Sequence, residues 1–194
     1  MVTKSLINQI QNLKQKKFRQ KTGLFVAEGE KLIQELLEAN FKYSKLLTTE
    51  NNTSFPADFI LKNDMQKLTH FKSASNFLGI FNKPQYLYDF NKESDSVIVL
   101  DAISDPGNLG TIIRTCDWYG ISDLICSKDT VDCFNSKVVQ SSMGSISRVR
   151  CHYIDLLPFL KKSKLEIFGA SLKGGAIYDL NLNKKSIFVF GNES

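Results

Sequence analysis

The sequence predicts an α/β protein of two units, a small α/β unit followed by a larger one built on a mostly parallel sheet. From residue 96 onward, short apolar runs alternate with helical segments, as in parallel sheets that helices cover on both faces. The stretch 83–95 is polar, contains Pro84 and shows no sustained period, which is typical of a linker. The chain has 194 residues, 42% of them hydrophobic, so it can bury a sizeable core.

Residues 1–82 form the first predicted unit. The stretch "SLINQIQNLKQKKFRQKTG" has apolar residues at helical spacing and predicts one helix, with Gly23 as its stop. An amphipathic helix in "EGEKLIQELLEANF" and a short helix in "KNDMQKLTHF" follow. Strands are predicted in "LFVA", "YSKLLTT" and "NFLGIFNK".

Residues 96–194 form the second predicted unit. Its strands are predicted in "SVIVLD", "ISDLICS", "RVRCHYI", "KLEIFGASL" and "KSIFVFG". Helical segments are predicted near 109–119, 134–142 and 155–162, between successive strands. This alternation predicts a mostly parallel sheet with helices on both faces.

The formal net charge of +5 is unevenly distributed, because no acidic residue precedes Glu28. A basic block without carboxylates favours a polyanionic partner such as a nucleic acid. The alternative, a solvated helix face, stays open on these residues alone. The candidate RNA-binding residues are Lys14, Lys16, Lys17, Arg19 and Lys21.

The cysteines and histidines indicate a reduced protein without a metal centre. The four cysteines show no C-x-x-C pairing, and neither of the two histidines lies at metal-ligand spacing. We therefore expect a cytoplasmic protein with no bound metal. No apolar run approaches the roughly 20 residues that cross a bilayer, and the N-terminus lacks the apolar core of a signal peptide, so we expect no membrane partner.

One short stretch, "LDAISDPGNLGTIIRTCDWYG", joins an apolar strand to a helix through a tight turn. Pro106 fixes one φ angle, Gly107 permits a positive one, and Asn108 can cap the helix by accepting a bond from a first-turn amide. The free amides of that turn make a local anion site, and the loop lies where parallel sheets bind ligands. An ordinary capped turn remains the alternative on geometry alone.

The helix after this turn carries Arg114 away from its apolar stripe. At roughly 100° per residue, Arg114 lies nearly opposite the stripe, with Trp118 one turn further on. An arginine beside an exposed tryptophan indicates a partner surface, either a subunit or a nucleic acid. The stripe consists of Leu109, Ile112, Ile113 and Cys116.

These residues resemble a known family. "DPGNLGTIIRTCDWYGI" looks like the first signature motif of the SpoU-type RNA ribose methyltransferases, in the knotted SPOUT superfamily. "NSKVVQSSMGSISRV", "GASLKGGAIYDL" and "SIFVFGNE" resemble the later segments of that family, in order. "KFRQKTGLFVAEGEKLIQELLEA" is similar to its N-terminal RNA-binding module, which itself resembles a small ribosomal protein. The resemblance covers essentially the whole chain.

The resemblance implies transfer of a methyl group from S-adenosylmethionine to a ribose 2′-hydroxyl in rRNA or tRNA. It places Arg114 at the arginine that contacts the target ribose and phosphate. Because arginine is a poor base, we expect orientation and charge stabilisation as its main role, with proton acceptance as a further hypothesis. Asn108 matches the asparagine of the first motif, and Glu193 is expected to orient Asn108 or Arg114.

The resemblance also implies a cofactor site and a homodimer. Gly191 and Asn192 match the second motif, and Gly191 would let backbone approach S-adenosylmethionine. Ala170, Ser171 and Leu172 lie where the family offers backbone to the adenosine. Each active site is expected near the subunit interface, and the basic block is expected to bind RNA phosphates in a salt-sensitive way.

One departure from the family pattern concerns the C-terminus. The family continues beyond "FGNE" with a third motif containing Ser-Leu-Asn, and that segment forms the knot. The sequence printed here stops at Ser194. We therefore expect the knot-forming segment to be missing and cofactor binding to be weak or absent. The alternative function is a catalytically silent RNA-binding or interaction protein.

Overall fold

The computed structural model describes residues 2–88, 96–171, 173–180, 182 and 185–192. Its first sheet has the strand order β1-β4-β2-β3, with β4 antiparallel to both β1 and β2, and β3 parallel to β2. The elements are α1 Lys4–Asn12, α2 Lys16–Thr22, β1 Leu24–Glu28, α3 Glu30–Glu38, β2 Tyr43–Thr48, β3 Asp58–Phe59, α4 Lys62–Leu68 and β4 Phe77–Asn82.

The single N-terminal helix that the sequence predicts is wrong, because the structure has two helices there, α1 and α2. The side chain of Arg19 explains the break. Its Nη1 donates to the carbonyl oxygens of Leu13 and Lys14, each at 2.8 Å, and so satisfies backbone acceptors that a continuous helix would use. Gly23 ends α2 with φ 68°, so the predicted stop is confirmed.

The second sheet has the order β7-β6-β5-β9-β8, and every neighbouring pair is parallel, which confirms the predicted sheet type. Two short 3₁₀ helices, Ser145–Ser147 and Ile177–Asp179, lie in its connections. The elements are β5 Ser96–Leu100, α5 Pro106–Trp118, β6 Asp123–Ser127, α6 Ser136–Ser141, β7 Arg150–Ile154, α7 Leu156–Lys162, β8 Glu166–Gly169 and β9 Ser186–Phe190.

The two units share one apolar core. Side chains of β1, α3 and β4 join those of α5 and α6 in a single buried cluster, and the rings of Phe25 and Phe134 lie 4.7 Å apart. A separate cluster on the other face of the second sheet packs Leu156 of α7 against Val97, Val99 and Ile187. The first unit is therefore fixed against the helices of the second, and both faces of the parallel sheet are covered.

The strand order reverses between β5 and β9. From β5 the chain moves outward to β6 and β7 on one side. It then crosses to β8 at the opposite edge and returns to β9, which lies between β8 and β5. In open parallel sheets, ligands bind beyond the carboxyl ends of the strands at such a reversal. The candidate site therefore belongs where β5 and β9 end. In the part of the chain that the structure describes, no helix has the length and apolar character to span a membrane.

Candidate functional site

Asp105, and not Asn108, caps the helix that leads away from β5. α5 begins at Pro106, and Oδ1 of Asp105 accepts a hydrogen bond from the backbone N–H of Asn108 at 2.8 Å. The sequence-based assignment of the cap to Asn108 is therefore wrong. Proline lacks an N–H and suits the first helical position, so the residue before it is the cap. That signal was present in "DPGN".

The capping bond also sets the charge of Asp105. The hydrogen bond from the Asn108 backbone holds the pKa of the Asp105 carboxyl below its usual value, and the nearby Lys137 acts in the same direction. Asp105 is therefore an anion at neutral pH. The Asn108 side chain is not used as a cap and remains exposed beside it.

Asn108 lines one groove together with Gly191 and Asn192, where the strand order of the sheet reverses. The groove has a volume of about 750 Å³, and Ile98, Ile112 and Phe190 supply its apolar walls. The Asp101 amide donates to the carbonyl oxygen of Phe190 at 2.9 Å, which ties the end of β5 to the end of β9. A Cβ added at Gly191 would meet no atom within 4 Å, so its backbone faces open space.

Ala170 and Ser171 lie at the end of the neighbouring strand. The amide of Ala170 donates to the carbonyl oxygen of Val189 at 3.0 Å, which continues the pairing of β8 with β9. Both residues are exposed, and they follow the same carboxyl edge as Gly191. Two further predicted site residues, Leu172 and Glu193, lie outside the described residues.

Arg114 points to a different face of α5. Its guanidinium Nη1 donates to the Met143 sulfur at 3.4 Å, in the "SSMGS" segment. Met143 has a positive φ of 49°, an uncommon conformation for a residue with a side chain. Trp118 beside it is 85% exposed. Arg114 lines a different pocket from Asn108, because the two residues lie on different faces of α5.

A charged network next to Arg114 escaped the sequence analysis. Arg148 donates from Nε to both oxygens of Asp117 at 3.0 Å, and its Nη1 pairs with Glu35 of α3. Ser145 donates to the same Asp117 carboxylate at 2.7 Å. These hydrogen bonds, chiefly those from Arg148, lower the pKa of Asp117. No spacing in the sequence marks the network, because its members come from elements 113 residues apart.

The basic block divides into exposed lysines and one buried arginine. Lys14, Lys16, Lys17 and Lys21 are exposed. Arg19 is only 2% exposed and forms a buried ion pair with Asp132, with 2.7 Å between Nη2 and Oδ2. The prediction that Arg19 binds RNA is therefore wrong, because its guanidinium is already used inside the protein.

The four cysteines are all free thiols, and three of them are buried. Burial raises the pKa of Cys116 to about 11, so this thiol stays protonated at neutral pH. The described residues contain no cluster of three or more histidine, cysteine or acidic side chains that could hold a metal ion.

Comparison with known proteins identifies the family. Residues 95–194 match the SpoU rRNA Methylase family, and residues 4–74 match the MRM3-like substrate binding domain. The chain belongs to the SpoU methylase family. The match covers the parallel sheet with its candidate groove, and the fold is that of the SPOUT methyltransferases with an N-terminal substrate-binding domain.

Several SpoU relatives have a stated activity or a solved structure. The 23S rRNA (guanosine(2553)-2′-O)-methyltransferase RlmP of Bacillus subtilis is 30% identical over 190 residues, which cover 92% of this chain and 75% of that protein. The human mitochondrial rRNA methyltransferase 3 is 28% identical, but the match spans only 36% of its length. The AdoMet-bound rRNA methyltransferase of Sinorhizobium meliloti has a TM-score of 0.84 at 25% identity, covering 100% of this chain and 80% of that one.

Proposed function

We propose that this protein transfers a methyl group from S-adenosylmethionine to a ribose 2′-hydroxyl in RNA, with rRNA as the favoured substrate. The observation that carries the proposal is the groove shared by Asn108, Gly191 and Asn192 where β5 and β9 end. It lies in the part of the chain that matches the methylase family. The names of the relatives support rRNA and the 2′-oxygen.

The described residues fit S-adenosylmethionine in size and chemistry. A groove of about 750 Å³ lies within the usual range of cofactor pockets, roughly 300–1,000 Å³. Its apolar walls, Ile98 and Phe190, suit an adenine ring, while the open backbone at Gly191 offers hydrogen-bonding groups. Asp105, an anion on the groove wall, suits the positive charge of the cofactor. When bound, the cofactor supplies an electrophilic methyl group.

The protein's task is then to position a weak nucleophile. A ribose hydroxyl gains most from correct orientation and from charge stabilisation around the reacting oxygen. We assign orientation of the ribose and its phosphate to Arg114, whose exposed guanidinium can bind phosphate through two parallel hydrogen bonds. Because arginine is a poor base, the hydroxyl proton would leave to solvent and not to Arg114. Asn108, in the groove, is assigned to hold the ribose beside the methyl donor.

A homodimer would bring these two residues together. Trp118, the last residue of α5, is 85% exposed, which is unusual for a large aromatic side chain outside an interface. Arg114 lies beside Trp118, away from the groove of its own chain. We propose that a second copy packs on this surface and that its Arg114 serves the groove. The free thiols of all four cysteines support a cytoplasmic location.

The activity can be tested with radioactive S-adenosylmethionine and unmodified rRNA and tRNA transcripts. Methylated 2′-oxygens resist alkaline cleavage, so label should appear in alkali-stable dinucleotides. Arg114→Ala and Arg114→Lys should each lower the rate by at least about 100-fold, because lysine lacks the planar pair of donors. Trp118→Leu should lower the dimer fraction, which light scattering measures. Salt-sensitive RNA binding without methyl transfer would favour the alternative of a catalytically silent RNA-binding protein.

The shared site has its own test. Arg114→Ala and Asn108→Ala should each be inactive alone, while a mixture of the two should recover about a quarter of the wild-type activity through mixed dimers with one intact site. No recovery on mixing, with dimers present, would place both residues in one subunit's site.

A further inference from the structure

A second cavity lies at the junction of the two units, away from the groove of Asn108. It has a volume of about 640 Å³ and is lined by α2, by residues 83–87 and by the segment after β6. The backbone amide of Lys83 donates to the carbonyl oxygen of Gly23 at 2.7 Å, which holds residues 83–87 against the first unit. Part of the stretch that the sequence marks as a linker therefore forms one wall of a cavity.

The charge of this cavity is strongly positive. Lys16, Lys83 and Lys128 line it, together with the buried Arg19. Among the described lining residues, Asp132 carries the one carboxylate, and Arg19 already neutralises it at 2.7 Å. The three lysines thus line a concave surface whose one described carboxylate is already paired with Arg19, which is the electrostatic pattern of a phosphate-binding site.

Aromatic rings form the apolar part of the same cavity. Tyr86, Phe134 and Tyr153 line it, and Nζ of Lys83 lies 5.2 Å from the centre of the Phe134 ring. The Tyr153 hydroxyl is fully used, since it donates to the carbonyl oxygen of Val131 and accepts from the amide of Cys133. Lysine amines beside aromatic faces are the combination that holds a nucleotide, with its phosphate on the cations and its base against the rings.

The cavity is connected by hydrogen bonds to the loop that leads into α5, the helix of the proposed catalytic residues. Lys128 directly follows β6, whose last residue, Ser127, accepts a hydrogen bond from the amide of Ala102 at 2.8 Å. The amide of Val131 donates to the carbonyl oxygen of Ile103 at 2.9 Å. Ala102, the donor of the first bond, and Ile103, the acceptor of the second, both belong to the loop between β5 and α5. A nucleotide bound at Lys128 would therefore lie on the same edge of the sheet as the groove.

We infer that this cavity binds a nucleotide of the RNA substrate other than the one that is methylated, through the amines of Lys83 and Lys128 and the ring of Tyr86. The inference rests on the proposed function, since it names a second contact site for the same RNA. It adds residues that neither the basic block nor the matched substrate-binding domain, residues 4–74, contains.

The test measures binding of the full chain to a fluorescein-labelled 12-nucleotide single-stranded RNA by anisotropy, over a series of salt concentrations. Lys83→Gln combined with Lys128→Gln should weaken binding about tenfold and reduce the salt slope by about 1.4, as expected for two lost phosphate contacts. Tyr86→Leu should weaken binding about tenfold with an unchanged salt slope, because stacking does not release counterions. Lys161→Gln combined with Lys162→Gln, on exposed positions of α7, is the matched charge control and should stay within about twofold of wild type.

The outcomes separate this inference from the proposed function. If Lys14→Gln combined with Lys17→Gln, at exposed positions outside the cavity lining, weakens binding but the Lys83 and Lys128 variant equals the α7 control, the cavity does not bind RNA and the proposed function stands. If the wild type shows no salt-dependent RNA binding, both fail. Competition by millimolar GMP that removes the Lys83- and Lys128-dependent part of the affinity supports a nucleotide site. If GMP alone binds as tightly as the 12-nucleotide RNA, the cavity holds a free nucleotide and the inference is overturned.

Discussion

Gly110 of α5 lies so close to Ser141 of α6 that no side chain fits between the two helices. A Cβ at position 110 would lie 2.8 Å from Cβ of Ser141 and 2.9 Å from the carbonyl oxygen of Val138. Glycine inside a helix costs roughly 0.5–1 kcal/mol relative to alanine, so this close approach is its compensation. The contact holds the helix of Asn108 and Arg114 against the helix that leads to Met143.

Gly110→Ala should therefore destabilise the protein, although alanine is the better helix former. The Val138 oxygen belongs to the backbone and cannot rotate away, so the helices must separate. We expect a loss of about 1–2 kcal/mol in the free energy of unfolding, measured with urea, and a lower methyl-transfer rate. Gly175→Ala is the control, since a Cβ there meets nothing within 4 Å and should change stability by less than about 0.5 kcal/mol. Equal stabilities of the two variants would contradict the packing argument.

The buried pair of Arg19 and Asp132 leads to a second prediction. Arg19→Ala leaves an uncompensated carboxylate in the interior and removes the donor to two carbonyl oxygens. We expect the free energy of unfolding to fall by about 3–5 kcal/mol. Lys21→Ala, at an exposed position of the same helix, should change it by less than about 0.5 kcal/mol. If Arg19→Ala does not fold, the double variant Arg19→Met with Asp132→Leu should recover most of the stability. A destabilisation below about 1 kcal/mol for the single variant would show that the pair is not structural.

The sequence predicted the local pattern of the fold but not contacts between distant residues. Alternation of apolar strands with helices correctly predicted the parallel sheet, because a strand buried on both faces needs a continuous apolar run. The helical period correctly predicted that Arg114 is exposed. The basic composition of the stretch before Glu28, by contrast, wrongly placed Arg19 with the RNA-binding lysines. Its partner Asp132 is 113 residues away along the chain, and no local pattern reports such a contact.

The candidate site was predictable in parts only. Asn108, Gly191 and Asn192 were proposed from motifs, and the structure brings them to one groove because the strand order reverses between β5 and β9. The assignment of the cap to Asn108 was wrong because proline favours the first helical position, which makes the residue before Pro106, Asp105, the cap. Arg114 is separated from that groove because the helical period places it on another face of α5 than Asn108, and the order of the motifs alone does not give that orientation.

His70 predicts a pH dependence of stability. Its Nε2 donates to the carbonyl oxygen of Ile10, so its Nδ1 accepts from Ser136 of the second unit. Burial, with smaller contributions from Lys14 and Arg19, lowers the pKa of His70 to about 4. Between pH 6.5 and 4 the unfolded chain binds the proton and the folded chain does not, so stability falls as the pH falls.

The size of this effect is up to about 3 kcal/mol between pH 7 and pH 4. His70→Gln keeps a donor and an acceptor but does not titrate. We expect urea unfolding at matched pH to show that the wild type loses more stability than His70→Gln as the pH falls below 6.5. The free energy of unfolding of the wild type minus that of the variant should therefore decrease steadily. Parallel curves for the two proteins would mean that His70 titrates alike in the folded and unfolded states.

Arg148 predicts an effect on function with little effect on stability. It joins Asp117, one turn after Arg114, to Glu35 of the first unit. All three side chains are partly exposed, so Arg148→Gln should lower the free energy of unfolding by less than about 1 kcal/mol. Loss of the link should nevertheless change how α5 meets the substrate-binding unit. We expect the KM for RNA to rise several-fold, with a smaller change in kcat.

Arg150→Gln is the matched control for this prediction. Arg150 is also half-exposed and pairs with a single aspartate, Asp123 at 2.6 Å, but that pair lies within the second sheet and does not reach the first unit. Its stability should change by a similarly small amount, while the KM for RNA should stay within about twofold of wild type. If both variants raise the KM equally, the effect is the loss of a surface charge from the RNA-binding side. If only Arg148→Gln does so, the bridge from Asp117 to Glu35 positions the helix of Arg114 relative to the bound RNA.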